Sequence, residues 1–316
     1  MRVWRGLRDV ADVGPTVVAV GVFDGVHRGH RMLVERAAAH AAELGHVPVA
    51  LTFDPHPMAV VRPERAPLLL TTLEDRLRLL GEAGAQAALI IPFTPAVAAA
   101  SAREFAHTVL VETLRTSVVV VGADFHFGAN ASGDVPGLQA QGKEFGFTVD
   151  PIDVQRDSVA RLSSTRAREL LAAGDVAGAA EILGRPHSLT GLVISGERRG
   201  RELGFPTANL ACPPGLAVPA DGVYAGWLAR PGEPRMPAAI SVGSNPTFEE
   251  GLERRVEAYA IDRDDLDLYD QRVTVEFVAR LRGMESFDSV ETLVAQMDQD
   301  VADTRALLGP TPTGPG

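Results

Sequence analysis

A doubly wound parallel sheet followed by a small antiparallel barrel is the fold class that this sequence predicts, from two contrasting patterns and one turn. Through residue 152, short apolar runs alternate with stretches whose apolar positions recur at helical spacing. That is the pattern of an α/β sheet with helices on both faces. Beyond Arg185-Pro186 the apolar runs follow one another across turn residues without intervening helices, which argues for antiparallel strands closed into a barrel. The turn lies in residues 16–30, TVVAVGVFDGVHRGH, read as a buried strand, a glycine-containing bend and a helix start. In an open α/β sheet such a bend sits at the carboxyl edge of the strands, where ligands bind.

In order, Val17-Val18-Ala19-Val20 is the first strand, and RMLVERAAAHAAEL is a helix that opens near Gly29 or His30 and stops at Gly45. VPVALTF (47–53) is the second strand, and a helix capped by Thr72 with Asp75 at its third position follows. Then come strand QAALII (86–91), a helix over 102–114 led by the capping box Ser101/Glu104, and strand SVVVVG (117–122). The helical stretch DVPGLQAQGKEFG precedes the fifth strand, FTVDPI (147–152). Five strands alternating with helices make a Rossmann-like sheet. A short helix at 175–184 ends this half. Strands LTGLVI (189–194), VYAGWLA (223–229), PAAISVG (237–243), VEAYAID (256–262) and RVTVEFVARLR (272–282) build the barrel, and a helix from about Ser289 to Leu308 covers it. Domains are expected at 1–184 and 185–308, with a disordered tail at 309–316.

The 46% apolar and 22% charged composition is that of a globular protein. Thirty basic against 41 acidic residues give a net charge of −11, which argues against a general nucleic-acid partner. The single cysteine, Cys212, excludes an intrachain disulfide and a cysteine-based metal cluster. No run has signal-peptide character or bilayer-spanning length, so a cytoplasmic enzyme with no membrane partner is expected. A homo-oligomer is one state open to it.

Gly25 and Gly29 let backbone approach a ligand. The helix start they flank favours a phosphate, and His27 and His30 are spaced to face the same anion. Gly21, Phe23 and Asp24 complete the turn. The plainer reading is a structural turn with two exposed histidines. Three more strand ends belong to the same edge. Prolines flank His56 in DPHP (54–57, ending in Pro57) and hold it at a fixed angle, or the loop is merely stiff. Asp124, Phe125 and Phe127 sit among glycines, where the rings can hold a planar ligand or simply cap a core. Ser163-Ser164-Thr165 reads as a helix cap, with Arg168 one turn inside where its guanidinium can fork onto a phosphate. Otherwise it is a capped surface helix.

The string GVFDGVHRGH resembles the HxGH nucleotidyltransferase signature, and in its longer form that of the bifunctional riboflavin kinase/FMN adenylyltransferase (FAD synthetase) family. The SSTxxR motif after the fifth strand matches the same family. So does the stretch from Gly191 to Leu210, which is similar to the riboflavin kinase motif GxVxxGxxxGRxLGFPTAN. The resemblance implies ATP-phosphate contacts at Gly196, Gly200, Arg201 and Gly204, and Mg²⁺ at Thr207 and Asn209, whose oxygens are hard ligands of the kind Mg²⁺ accepts. It implies Glu257 as the kinase base, beside an NPTF turn at 245–248. Where the family has LYG, this chain has Leu268-Tyr269-Asp270; Asp also tolerates left-handed geometry. The implied activity is phosphorylation of riboflavin to FMN by the barrel and adenylylation of FMN to FAD by the first domain, both from ATP. The rivals are a nucleotidyltransferase of a nicotinate or pantetheine phosphate, which the barrel motif disfavours, and a catalytically silent flavin-binding regulator.

Overall fold

The computed structural model describes residues 1–10, 13–153, 162–195, 204–244, 254–263 and 266–309. The chain divides into two compact units, Met1–Ser164 and Thr165–Gly316. Gly196, Gly200, Arg201, the NPTF turn and residues 310–316 lie outside the described residues.

The first unit holds six parallel strands: β1 (Arg2–Arg5), β2 (Thr16–Val20), β3 (Val47–Asp54), β4 (Ala87–Pro92), β5 (Thr116–Gly122) and β6 (Thr148–Ile152). Their order is β1-β4-β3-β2-β5-β6. The sheet is doubly wound, as expected, with one strand more than the five predicted. The addition, β1, buries only Trp4 of its RVWR, so neither a buried run nor an alternation marks it. β2 is buried throughout. Val17 and Ala19 pack with Leu33, Val34, Ala37 and Ala41 of helix α1 (Arg28–Leu44). Val18 and Val20 face the opposite core, with Leu110, Leu114 and Leu138.

Among the connections, α2 spans Pro57–Val61, α3 Leu73–Glu82, α4 Pro95–Ala99, α5 Ala102–Phe105 and α6 Val135–Phe145. Thr72 caps α3 through Asp75 N (3.0 Å), as predicted. The expected helix over 102–114 opens on its Ser101/Glu104 capping box, but only α5 is α-helical. From Ala106 to Thr113 it widens into a π-helix, with Leu114 N bonded to Val109 O. The chain leaves β2 toward β3 and β4, and leaves β5 toward β6. The carboxyl ends of β2 and β5 therefore flank the switch point where open α/β sheets bind ligands.

The second unit comprises helices α7 (Ser164–Ala173, whose first residue ends the other unit) and α8 (Val176–Leu183), then a closed six-stranded barrel. Its strands are β7 (His187–Ile194), β8 (Ala208–Ala211), β9 (Gly222–Ala229), β10 (Met236–Ser244), β11 (Arg254–Ala260) and β12 (Arg272–Arg282). All neighbours are antiparallel, in the order β10-β11-β8-β7-β12-β9. The unpredicted strand is β8, four residues whose first two close the PTAN motif. At Gly226 a Cβ would lie 2.0 Å from Glu276 O, so only glycine lets β9 approach β12. Asp270 takes φ +60°, the left-handed geometry expected where the family has glycine. Helix α9 (Val290–Leu308) is capped by Ser289. Arg282 forks onto Asp300 at 2.7 and 2.9 Å and so pins α9 to β12. Burial pushes the Cys212 thiol up to about 11, so at neutral pH it is not a nucleophile.

Helix α8 buries Val176, Ala179, Ile182 and Leu183, and α7 lends Leu171 O to Ala220 N at 2.9 Å. A fragment starting at residue 186 loses these contacts, which are worth about 5 kcal/mol at the usual value per buried side chain. In urea it should unfold at a clearly lower midpoint than a fragment starting at Thr165. Equal midpoints would show α7 and α8 to be dispensable to the barrel.

Candidate functional site

Beyond β2 the chain turns through left-handed backbone at Phe23 (φ 55°), Gly25 (φ 80°) and Val26 (φ 38°). For a β-branched residue such as Val26 this is strained, at roughly 1–3 kcal/mol. Its burial in the core and a Val26 N to Phe23 O bond of 3.1 Å hold it there. Immediately afterwards α1 begins at Arg28, two residues earlier than His30. His27 is the N-cap, its Nδ1 accepting from His30 N at 3.3 Å. With Nδ1 accepting, the neutral imidazole carries its proton on Nε2. The His27 and His30 rings stack with centroids 3.6 Å apart, and the Phe23 edge supports His30 at 5.2 Å. Gly29 is buried in the first helical turn, and Gly21 N donates to Leu51 O at 3.1 Å.

The side chains of Phe23 and Asp24, which complete the turn, face inward. They are 0% and 1% exposed, because each holds the turn from beneath. Asp24 Oδ1 accepts from Leu70 N (3.0 Å), Thr71 N (3.2 Å) and Thr71 Oγ1 (3.3 Å). Thr71 Oγ1 in turn accepts from Gly25 N at 3.1 Å. Leu70 and Thr71 are thus site residues that the sequence reading missed; their only signal was a position just before the Thr72 cap.

Two further loops are tied to this turn. Thr52 Oγ1 donates to Val22 O at 2.8 Å, which joins it to the end of β3. There His56 caps α2, its Nδ1 accepting from Met58 N at 3.1 Å, and Pro57 is the first helical residue, where a missing N–H costs nothing. Ser164 Oγ donates to the Asp24 carbonyl at 2.8 Å, which brings the serine motif to the same turn. Helix α7 starts at Ser164 and leaves Ser163 in the cap position. Thr165 and Arg168 follow on α7 in the second unit, Thr165 exposed and Arg168 half-buried. Beyond β5, Asp124 is exposed and Phe125 half-buried. Phe127 belongs to the core, stacked behind Phe125 at 5.3 Å and 13°. It acts as a platform for Phe125, not as an exposed ring.

In the barrel, Thr207 and Asn209 are two residues apart and so share a face. Asn209 pairs in register with Glu257 on β11, and Thr207 Oγ1 donates to Glu257 Oε2 at 3.3 Å. Arg255 Nη1 lies 3.6 Å from Glu257 Oε1, a partner that the motif did not predict. A cavity of ≈ 60 Å³ adjoins them, bounded by Thr207, Asn209, Ala258, Arg263 and Tyr269. Gly204 is exposed, with φ +88°. Among the described residues no cluster of three or more His, Cys, Asp and Glu side chains is arranged to hold a metal by itself. Two neutral oxygens beside a carboxylate instead suit a hard cation that arrives with phosphates.

The inward Asp24 gives a direct test. Asp24→Ala strands the Leu70 and Thr71 donors, which should destabilise the first unit by about 2–4 kcal/mol. Urea unfolding of the variant would measure this; an unchanged first transition would remove Asp24 from the support of the turn.

A family model of FAD synthetase matches residues 10–166 and one of riboflavin kinase matches residues 183–308. The bifunctional riboflavin kinase/FMN adenylyltransferase of Escherichia coli (strain K12) is 33% identical over 313 residues, 98% of this chain and 99% of that one. That of Pseudomonas fluorescens is 36% identical over 312 residues, again 98% and 99%. A crystal structure described as a macrolide-efflux protein from Streptococcus pneumoniae aligns with a TM-score of 0.88 at 31% identity, covering 96% of this chain and 99% of that one. No helix among the described residues is long and apolar enough to cross a membrane. Full-length likeness to enzymes that join the same two domains in the same order places the chain in the bifunctional riboflavin kinase/FMN adenylyltransferase family.

Proposed function

We propose that residues 1–184 transfer AMP from ATP to FMN and that residues 185–308 phosphorylate riboflavin, in a cytoplasmic enzyme that uses Mg²⁺ with its ATP. Helices α7 and α8 would support the barrel without entering its chemistry. One observation carries this reading: the core of each motif set, though not Thr165 and Arg168, assembles within one unit. The stacked histidines cap α1 in the first; Thr207, Asn209 and Glu257 meet across β8 and β11 in the second.

In the first reaction an FMN phosphate oxygen attacks the α-phosphorus of ATP, and the bond to the β-phosphate oxygen breaks as pyrophosphate leaves. The nucleophile is already an anion, so no base is needed. The difficulty is holding two anions together, and catalysis then rests on positioning and on donors aimed at the developing charge. The Nε2–H of His27, the ring of His30 and the free N–H groups opening α1 are those donors. On the strength of their motif, Ser163, Ser164, Thr165 and Arg168 are assigned to the same phosphates. His56, Pro57, Asp124 and Phe125 are placed to hold the flavin, with Phe127 behind.

The second reaction is different in kind. The riboflavin 5′-hydroxyl attacks the γ-phosphorus, ADP leaves, and the hydroxyl proton must go somewhere. Glu257 is the acceptor, oriented by Thr207 on one oxygen and Arg255 on the other. Thr207 and Asn209 would hold Mg²⁺, which offsets phosphate charge when bound. Gly204, with Gly196, Gly200 and Arg201 of the adjoining motif, would cover the ATP phosphates.

Two variants separate the activities. His30→Ala should slow FAD formation from supplied FMN by about 10²–10³, mostly in kcat, while riboflavin phosphorylation continues and FMN accumulates. Equal loss of both activities would refute the assignment. Glu257→Gln should slow FMN formation by about 10²–10⁴ and leave FMN-to-FAD conversion intact. Chromatography of the flavins reads both, and kinase turnover at the wild-type rate in the Gln variant would remove Glu257 from the mechanism.

A further inference from the structure

One buried charge in the first unit has no place in the chemistry above. Arg76 lies on α3 among Leu73, Leu77 and Leu80, at the i, i+3, i+4 and i+7 spacing of an apolar face. It is 0% exposed, the largest fully buried side chain among the described residues. Its Nη1 donates to Phe53 O, at the end of β3, at 3.0 Å. Its Nε and Nη2 are buried without a hydrogen-bond partner. Burying a guanidinium so sparsely satisfied is costly, and Phe53 O alone does not repay it.

Two acidic residues act on Arg76. Asp24 is bonded to Leu70 and Thr71, which run directly into α3. Asp54 follows Phe53, the residue whose carbonyl Arg76 holds. Burial lowers the Arg76 pKa, and the charges of Asp24 and Asp54 oppose that shift. The cation therefore feels the charge of two carboxylates, one beneath the histidine turn and one leading into the His56 loop. On the adenylyltransferase reading the first of these loops meets the phosphates and the second holds the flavin of FMN, so both face phosphorylated substrates.

We propose that Arg76 is a positioning residue for adenylyl transfer, a buried cation that cancels Asp24 and Asp54 so that the histidine turn and the His56 loop can accept polyanionic substrates. The proposal rests on the adenylyltransferase reading of the first unit. Arg76 touches no substrate. It acts through its charge and through the Phe53 carbonyl, and its loss leaves the loops more negative by one full charge.

The test is steady-state FAD formation from supplied FMN and ATP by the full chain, with riboflavin phosphorylation as the internal control. Arg76→Met should raise the KM for both substrates on the order of tenfold at low salt, with a smaller change in kcat, and the gap should narrow as salt rises. Arg76→Lys keeps the charge and should restore most of the KM. Asp54→Asn in the Arg76→Met background should lower it again. A fall in kcat or in active fraction at unchanged KM, with no rescue by either change, would make Arg76 a purely structural residue and overturn the proposal. Should Arg76→Met not fold, Asp54→Asn alone should lower both KM values about threefold; unchanged values would again overturn it. A wild-type chain that forms no FAD from FMN would refute the adenylyltransferase reading itself. An active wild type whose Arg76→Met variant keeps its KM values would refute only the role of Arg76.

Discussion

The Asp24 carboxylate is the contact on which the first unit's site depends. Three stretches far apart in the chain meet at this residue: the turn that carries the histidines, the segment entering α3, and the serine that begins α7. Its side chain accepts hydrogen bonds from one, and its carbonyl accepts from another. The turn between them contains left-handed backbone at two non-glycine residues, a conformation that an isolated peptide would abandon. Strain of this kind persists only where surrounding structure over-determines it. Here the buried Phe23 ring, the Thr71–Gly25 bond and the core around Val26 do so.

The strained turn also fixes the chemistry of His27. Because its Nδ1 caps α1, the ring cannot rotate without stranding a helix N–H, and its proton is held on Nε2. Preorganised donors of this sort need no rearrangement as charge develops, which is where electrostatic catalysis draws its advantage. The barrel meets a different demand. On the kinase reading proposed above, a hydroxyl nucleophile needs a base, and β-strand register would supply it. Asn209 and Glu257 are directly opposed on β8 and β11, and Thr207 reaches Glu257 from the same face. One unit thus aims backbone and imidazole donors with a turn; the other aims a carboxylate with a ladder.

Much of this was legible in the residues. The alternation of runs and helical periods gave the order of elements through the first unit, because a strand buried on both faces and an amphipathic helix leave different marks. Caps at Thr72 and Ser101 were readable because capping is local chemistry. The candidate site residues were legible as types and spacings, with the family resemblance supplying roles for the barrel motif.

What the sequence by itself determined, then, was most of the elements, their order, and which residues are candidates for the chemistry. Only the tertiary structure decided which way those residues face. Side-chain direction through an irregular turn has no period, so nothing local shows that Phe23 and Asp24 point inward while His30 lies above them. Short strands such as β1 and β8 owe their existence to the neighbours they pair with, not to their own four residues. Arg76 left a trace, an arginine on the apolar stripe of α3. A stripe, however, cannot say whether a long side chain escapes to water or stays buried, as this one does against a strand end. That depends on what packs over it, and packing is a property of the whole fold.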